Sequence, residues 1–138
     1  VEIGDLVETE IEAAVALWRT CGLTRPWNDP HADARLALKA QDATILAGRL
    51  DGVLTATAMV GFDGHRGWIY YLAVDPGRRK EGLGAAMMRA LEDWLRRVGA
   101  PKIQLMVRTD NIAAHRFYEA IGYERQAVTV FGRRLDGG

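Results

Sequence analysis

Cysteine is almost absent. Cys21 stands alone in 138 residues, so no internal disulfide can staple the chain, and a lone thiol fits a reducing, cytoplasmic setting. Net charge is missing too: Lys plus Arg and Asp plus Glu each number 18, so no overall field draws nucleic acid or an acidic membrane. No apolar run approaches the roughly 18 residues of a spanning helix. The first residues lack the basic-then-apolar pattern of a secretory signal. Three scattered histidines with one cysteine give no metal-ligand spacing, so no metal is expected. Repeats, low-complexity tracts and linkers are also lacking. What is left is a chain of the length of one domain, residues 1–138, long enough for a real core.

The most informative segment runs from Trp68 to Val98. Trp68-Ile69-Tyr70-Tyr71-Leu72-Ala73-Val74 is nearly continuous in apolar and β-prone residues, the pattern of a strand covered on both faces. Pro76 and Gly77 stop it. Leu83, Met87, Leu91, Leu95 and Val98 then recur at spacings of four and three, an apolar helical stripe ended by Gly99 and Pro101. Lys102 to Val107 supplies a second strand, which makes a βαβ unit with a right-handed crossover.

Between strand and helix lies Arg78-Arg79-Lys80-Glu81-Gly82-Leu83-Gly84. Such a turn aims backbone N–H groups and the positive end of a helix at one point, an anion site that suits a diphosphate. Gly82 and Gly84 lack a Cβ, which permits unusual dihedrals and close approach of a ligand to the main chain. The same residues also suit a plain strand-to-helix turn whose basic side chains face water. Spacing excludes two other phosphate motifs. A dinucleotide fingerprint needs a third glycine where Met87 stands, and a P-loop needs Lys and Ser/Thr where Leu83 and Gly84 stand.

A second motif follows the second strand. Asp110 or Asn111 can cap a helix, Gly122 can end it, and Ala113, Ala114, Phe117 and Ile121 form its buried side, with Tyr118 beside that stripe. The two motifs, Val74-Asp75-Pro76…Arg79-x-x-Gly82-x-Gly84 and Asn111-x-x-Ala114-x-x-Phe117-Tyr118-Glu119-x-x-Gly122-Tyr123, occur in that order with one helix and one strand between them. Together they resemble the GNAT superfamily of acetyl-CoA-dependent N-acetyltransferases. The likeness covers most of the chain. It is similar in particular to a small bacterial branch with an Arg-Pro-Trp-Asn-Asp-Pro loop and an Asp-Gly-His-Arg-Gly turn.

The resemblance implies an α/β fold: one domain, a mixed central sheet, splayed parallel central strands and flanking helices. It implies acetyl-CoA as the donor, its pantetheine arm lying like an added strand along Leu72, Ala73 and Val74. The diphosphate would sit on the amides of Arg79, Lys80, Glu81, Gly82, Leu83 and Gly84, with Ala85 adjoining, and Asn111 and Ala114 would hold the arm or its loop. The Leu72 N–H would face the thioester oxygen, and Tyr118 would protonate the departing thiolate. Tyr118 also suits a half-buried core aromatic, and Asn111 a simple N-cap. The implied acceptor is a primary amine, on a small molecule or at a protein N-terminus or lysine, and the implied enzyme is a monomer or homodimer. The alternative is a non-catalytic acyl-CoA-binding sensor.

The base and the acceptor site are less defined. Where many relatives carry a strand carboxylate, this chain has Tyr70 and Tyr71, and then Met106. Asp63 and His65 in Gly61-Phe62-Asp63-Gly64-His65-Arg66-Gly67 are candidates, as is a water chain lined by tyrosine hydroxyls, although turn chemistry accounts for the same loop. Tyr70, Trp27 and Asp29 are candidates for the acceptor pocket, although Asp29-Pro30 also reads as an ordinary helix start. The remaining expected elements are a strand at Val1–Ile3 and helices over Glu8–Arg19 and Ala32–Lys39. A hairpin joins Thr44–Leu50 to Val53–Gly61 around Asp51-Gly52, and one or two strands lie within Glu124–Leu135.

Overall fold

A computed structural model describes residues 1–137. The backbone clusters into two compact units, one of Val1–Met106 and one from Val107 onward.

The first unit is an α/β structure. A mixed sheet runs β1 (Glu2–Asp5), β2 (Ala43–Leu50), β3 (Val53–Phe62), β4 (Gly67–Val74) and β5 (Ile103–Leu105), in that spatial order. The first four strands pair antiparallel, and β4 pairs parallel with β5. Its helices are α1 (Ile11–Thr20), α2 (Pro30–Lys39) and α3 (Leu83–Val98). The expected order of elements is present, with boundaries shifted by a few residues. The strand expected over Lys102–Val107 is only three residues long.

Strand alternation sends one set of side chains to each face. Ile45, Ala47 and Ala73 join Ala14, Val15 and Trp18 of α1 and Ala34 and Ala37 of α2 in one core cluster. On the other face, Met87 and Leu95 of α3 lie against Gly48 and Gly67, where any Cβ would crowd them. Both faces are covered, which is why β2 and β3 are buried continuously through their middles. Gly99 ends α3 in a left-handed conformation at φ +87° and returns the chain to β5.

The second unit contains α4 (Ile112–Ala120), N-capped by Asn111. The strand expected within Glu124–Leu135 is not there. Among the described residues this stretch has no ladder, and Val128, Val130, Phe131 and Leu135 are exposed. Its β-prone run is short and broken by Gly132-Arg133-Arg134, and a strand without a partner is not stable by itself.

Candidate active site

β4 is the element from which the site is built. Its parallel ladder with β5 covers only Gly67, Trp68 and Ile69, so among the described residues Tyr70 to Val74 continue without a strand partner on that side. On the other side, the antiparallel ladder with β3 jumps from Met59↔Tyr70 to Thr57↔Ala73. Three steps on β4 oppose two on β3, a bulge that leaves Tyr71 and Leu72 without register partners. Tyr71 absorbs the bulge at φ +55°, a conformation costly for a bulky residue. Among the described residues Leu72 thus has no register partner on either neighbouring strand.

The strain at Tyr71 is held by its surroundings. Its ring stacks on Trp18, with centroids 4.1 Å apart and planes at 14°. Trp18 is fully buried and its Nε1 donates to Thr57 Oγ1 at 2.8 Å. The Thr57 hydroxyl in turn donates to the Tyr71 carbonyl at 3.4 Å. The Tyr71 phenol donates to Asp33 Oδ2 on α2 at 2.8 Å. Burial first, and then the bond to Asp33, push the Tyr71 phenol well above its ordinary range. Burial also raises Tyr70, with a smaller push from the Asp63 carboxylate.

After β4 the chain turns through Pro76–Arg78 into α3. Asp75 caps the short turn by accepting from the Gly77 amide at 2.9 Å. Lys80 and Gly82 both adopt positive φ, +69° and +79°. The expectation that both glycines supply unusual dihedrals is corrected here: Gly84 already belongs to the first turn of α3, and Lys80 is the second residue with positive φ. The first amides of any helix lack intrahelical acceptors. Among the described residues no acceptor meets the N–H groups from Lys80 to Ala85, and no side chain caps Gly82. A Cβ placed at Gly82 would meet nothing within 4 Å, so the space in front of this cradle is open. Arg79 and Lys80 are exposed beside it, and Arg78 lies 3.9 Å from Glu81. A row of unmet donors, open space and local positive charge fit a phosphate group.

A cavity of about 540 Å³ opens beside the bulge, lined by α2, β3, β4 and the loop before α2. Tyr70, Tyr71, Met59, Asp33 and Asn28 are among its walls. Tyr70, a candidate from the sequence, lines this cavity. Trp27 does not line this cavity and is 58% exposed, and its neighbour Asn28 lines the wall instead. Asp29 caps α2, its Oδ1 accepting from the His31 and Ala32 amides at 3.1 Å. Asp63 closes the β3–β4 turn: Oδ1 accepts from the His65 and Arg66 amides at 2.8 and 2.7 Å, and Oδ2 from Trp68 Nε1 at 3.2 Å. The Arg66 and His65 amides hold its carboxyl below the usual carboxylate range, which suits a turn residue and not a base. His65 is exposed in the same turn.

Asp33 was missed from sequence, although a signal was present. Asp33, Leu36, Ala37 and Ala40 all line the cavity and follow the spacing of one helical stripe. A carboxylate interrupting an otherwise apolar stripe was the clue. Thr57 and Trp18 could not be found that way, because their roles come from contacts between distant segments.

Within the second unit, Asn111 Oδ1 accepts from the Ala114 amide at 3.1 Å, the geometry of an N-cap. Tyr118 packs edge-on against Phe117 and Tyr123, with centroids 5.0 and 5.9 Å away. Burial pushes its phenol up to about 12.

Known proteins can be set beside this geometry. Residues 11–123 match the profile of the acetyltransferase (GNAT) family. An acetyltransferase of Yersinia enterocolitica is 39% identical over 134 residues, which cover 97% of this chain and 95% of that one. The solved structure of AAC(6')-Iy in complex with the bisubstrate analog CoA-S-monomethyl-acetylneamine superposes with a TM-score of 0.82 at 18% identity, covering 96% and 97% of the two chains. A ribosomal-protein-alanine N-acetyltransferase from Brucella melitensis superposes at 0.77 with 20% identity, covering 96% and 98%.

Proposed function

The chain belongs to the acetyltransferase (GNAT) family, and on that premise we propose that it moves an acetyl group from acetyl-CoA to a primary amine by direct attack in a ternary complex. The observation that supports this reading is the bulge at Tyr71-Leu72, where among the described residues β4 has no register partner on either side, set upstream of the open cradle at Lys80–Ala85. A fold that needed only stability would gain by continuing the regular ladder, and a bulge held at positive φ is a local strain that calls for a use.

The coenzyme supplies an acyl group activated as a thioester. The amides of Arg79 to Gly84, with Ala85, would hold its linked phosphates, helped by the Arg79 and Lys80 charges. The free edge of Leu72, Ala73 and Val74 would pair with its amide-containing arm, as an added strand does. The Leu72 N–H would stabilise negative charge developing on the carbonyl oxygen, a contribution of about 3 kcal/mol for one preorganised donor. Tyr118 keeps its proton across neutral pH and would give it to the departing thiolate. Of the two protons the ammonium loses, one through solvent before attack and one on forming the amide, one would restore the phenol and the other pass to water. In the second unit the Asn111 carboxamide retains its NH₂ for the coenzyme arm while its oxygen caps α4. The analog bound by AAC(6')-Iy carries coenzyme and acceptor in one molecule, which supports a ternary complex as the working state.

Calorimetric titration with acetyl-CoA, followed by acetylation assays over small amines, peptide N-termini and lysine peptides, tests the reading. Saturable binding with acetylation of some amine is expected. No heat of binding would overturn it, and binding without transfer to any amine would assign the chain to the non-catalytic acyl-CoA sensors.

A further inference from the structure

The cavity beside the bulge carries more information than the family does. Its walls are mostly apolar, with Met59, Val60, Ala37 and Leu36 among them, and among the described residues that line it Asp33 is the one with a charge. Its volume of about 540 Å³ falls within the range that encloses small ligands, roughly 300–1,000 Å³. Leu36 is 72% exposed and Tyr70 is 43% exposed, so an apolar rim meets solvent at this site.

Asp33 is also preorganised. Its Oδ2 accepts from Tyr71 at 2.8 Å, and Tyr71 is fixed in turn by stacking on the buried Trp18 and by its bulged backbone. Oδ1 has no hydrogen-bond partner among the described residues. One carboxylate oxygen is therefore committed to holding the group in place, while the other can still accept. Asp33 is half-buried, which strengthens an ion pair relative to the open surface. Because Tyr71 adjoins Leu72, the carboxylate is tied through one side chain to the bulged stretch of β4.

We propose that Asp33 is a specificity-determining residue that selects a positively charged primary amine, taking its ammonium group while the apolar body fills the cavity between α2 and the β3–β4 pair. The inference rests on the acetyltransferase reading for the fate of that amine, but the binding preference stands on the cavity alone.

The test is methyl NMR on the full chain, titrated with 2-phenylethylamine and with its neutral counterpart 2-phenylethanol. The Met59, Ala37 and Ala43 methyls should shift saturably with the amine, and the alcohol should bind about ten- to a hundredfold more weakly, as expected for loss of a charged hydrogen bond. Asp33→Asn should reduce the amine to the alcohol's affinity, with the Val15 and Ala14 signals confirming an intact core. Equal binding of amine and alcohol to the wild type overturns the assignment. So does a preference that survives in Asp33→Asn, or no shift of the cavity methyls with either compound. A parallel titration with acetyl-CoA keeps the two readings apart. Coenzyme binding without amine preference removes only Asp33, whereas amine preference without coenzyme binding removes only the transferase.

Discussion

Replacing Tyr118 with Phe removes one hydroxyl and nothing else of the side chain's shape, so its effects separate chemistry from packing. Burial pushes this phenol from the ordinary value of about 10 up to about 12. The folded-state value lies above the unfolded one, so the stability linked to it is fully present below about pH 10 and is lost as the pH rises through about 12. Each pKa unit is worth about 1.4 kcal/mol, so wild-type protein should lose roughly 2–3 kcal/mol more than Tyr118→Phe across that window. Urea denaturation of both proteins at several alkaline pH values reads the difference directly. At neutral pH the group is almost entirely protonated and can act only as an acid. Turnover of the variant should therefore fall by about 10²–10⁴-fold while its calorimetric affinity for acetyl-CoA stays the same. Unchanged turnover would refute the catalytic role. Parallel alkaline stability curves would refute the burial argument on which the protonation state depends.

Three further variants probe the frame. Gly82→Ala meets no steric obstacle but forces a Cβ onto a backbone at φ +79°, so it should cost about 1 kcal/mol in chemical denaturation and weaken acetyl-CoA binding several-fold by shifting the cradle amides. Gly67→Ala would bring a Cβ to 2.5 Å from Leu95 Cδ1 and 2.9 Å from its Cγ, so about 1–3 kcal/mol should be lost. Combining it with Leu95→Ala should give less than the sum of the single effects, since both act on one contact, and a fully additive result would dismiss that contact. Trp18→Phe removes the bond to Thr57 and shrinks the surface on which Tyr71 stacks. It should cost about 2–3 kcal/mol in thermal or urea unfolding and lower turnover through a loosened bulge; native turnover would detach the stack from the reaction.

Local chemistry made several features legible without a structure. The stripe from Leu83 to Val98 could be only a helix, because its apolar spacing fits no other period and Gly99 and Pro101 close it. The Asp51-Gly52 turn fixed the β2–β3 hairpin for the same kind of reason. Asp29 and Asp63 each had two readings, and the capping and turn hydrogen bonds of both are formed. The segment after Tyr123 read as strand because propensity alone counts side chains and not partners.

The sequence by itself determined most of the helix and strand order up to Tyr123 and the acetyltransferase kinship, since each is written in residues within one turn or one strand of each other. Only the tertiary structure decided that β4 bulges at Tyr71, that Leu72 is left without a ladder partner, and that Asp33 meets Tyr71 from 38 residues away. Those features arise from register mismatch between strands and from packing across helices, and neither quantity exists until the chain has closed on itself.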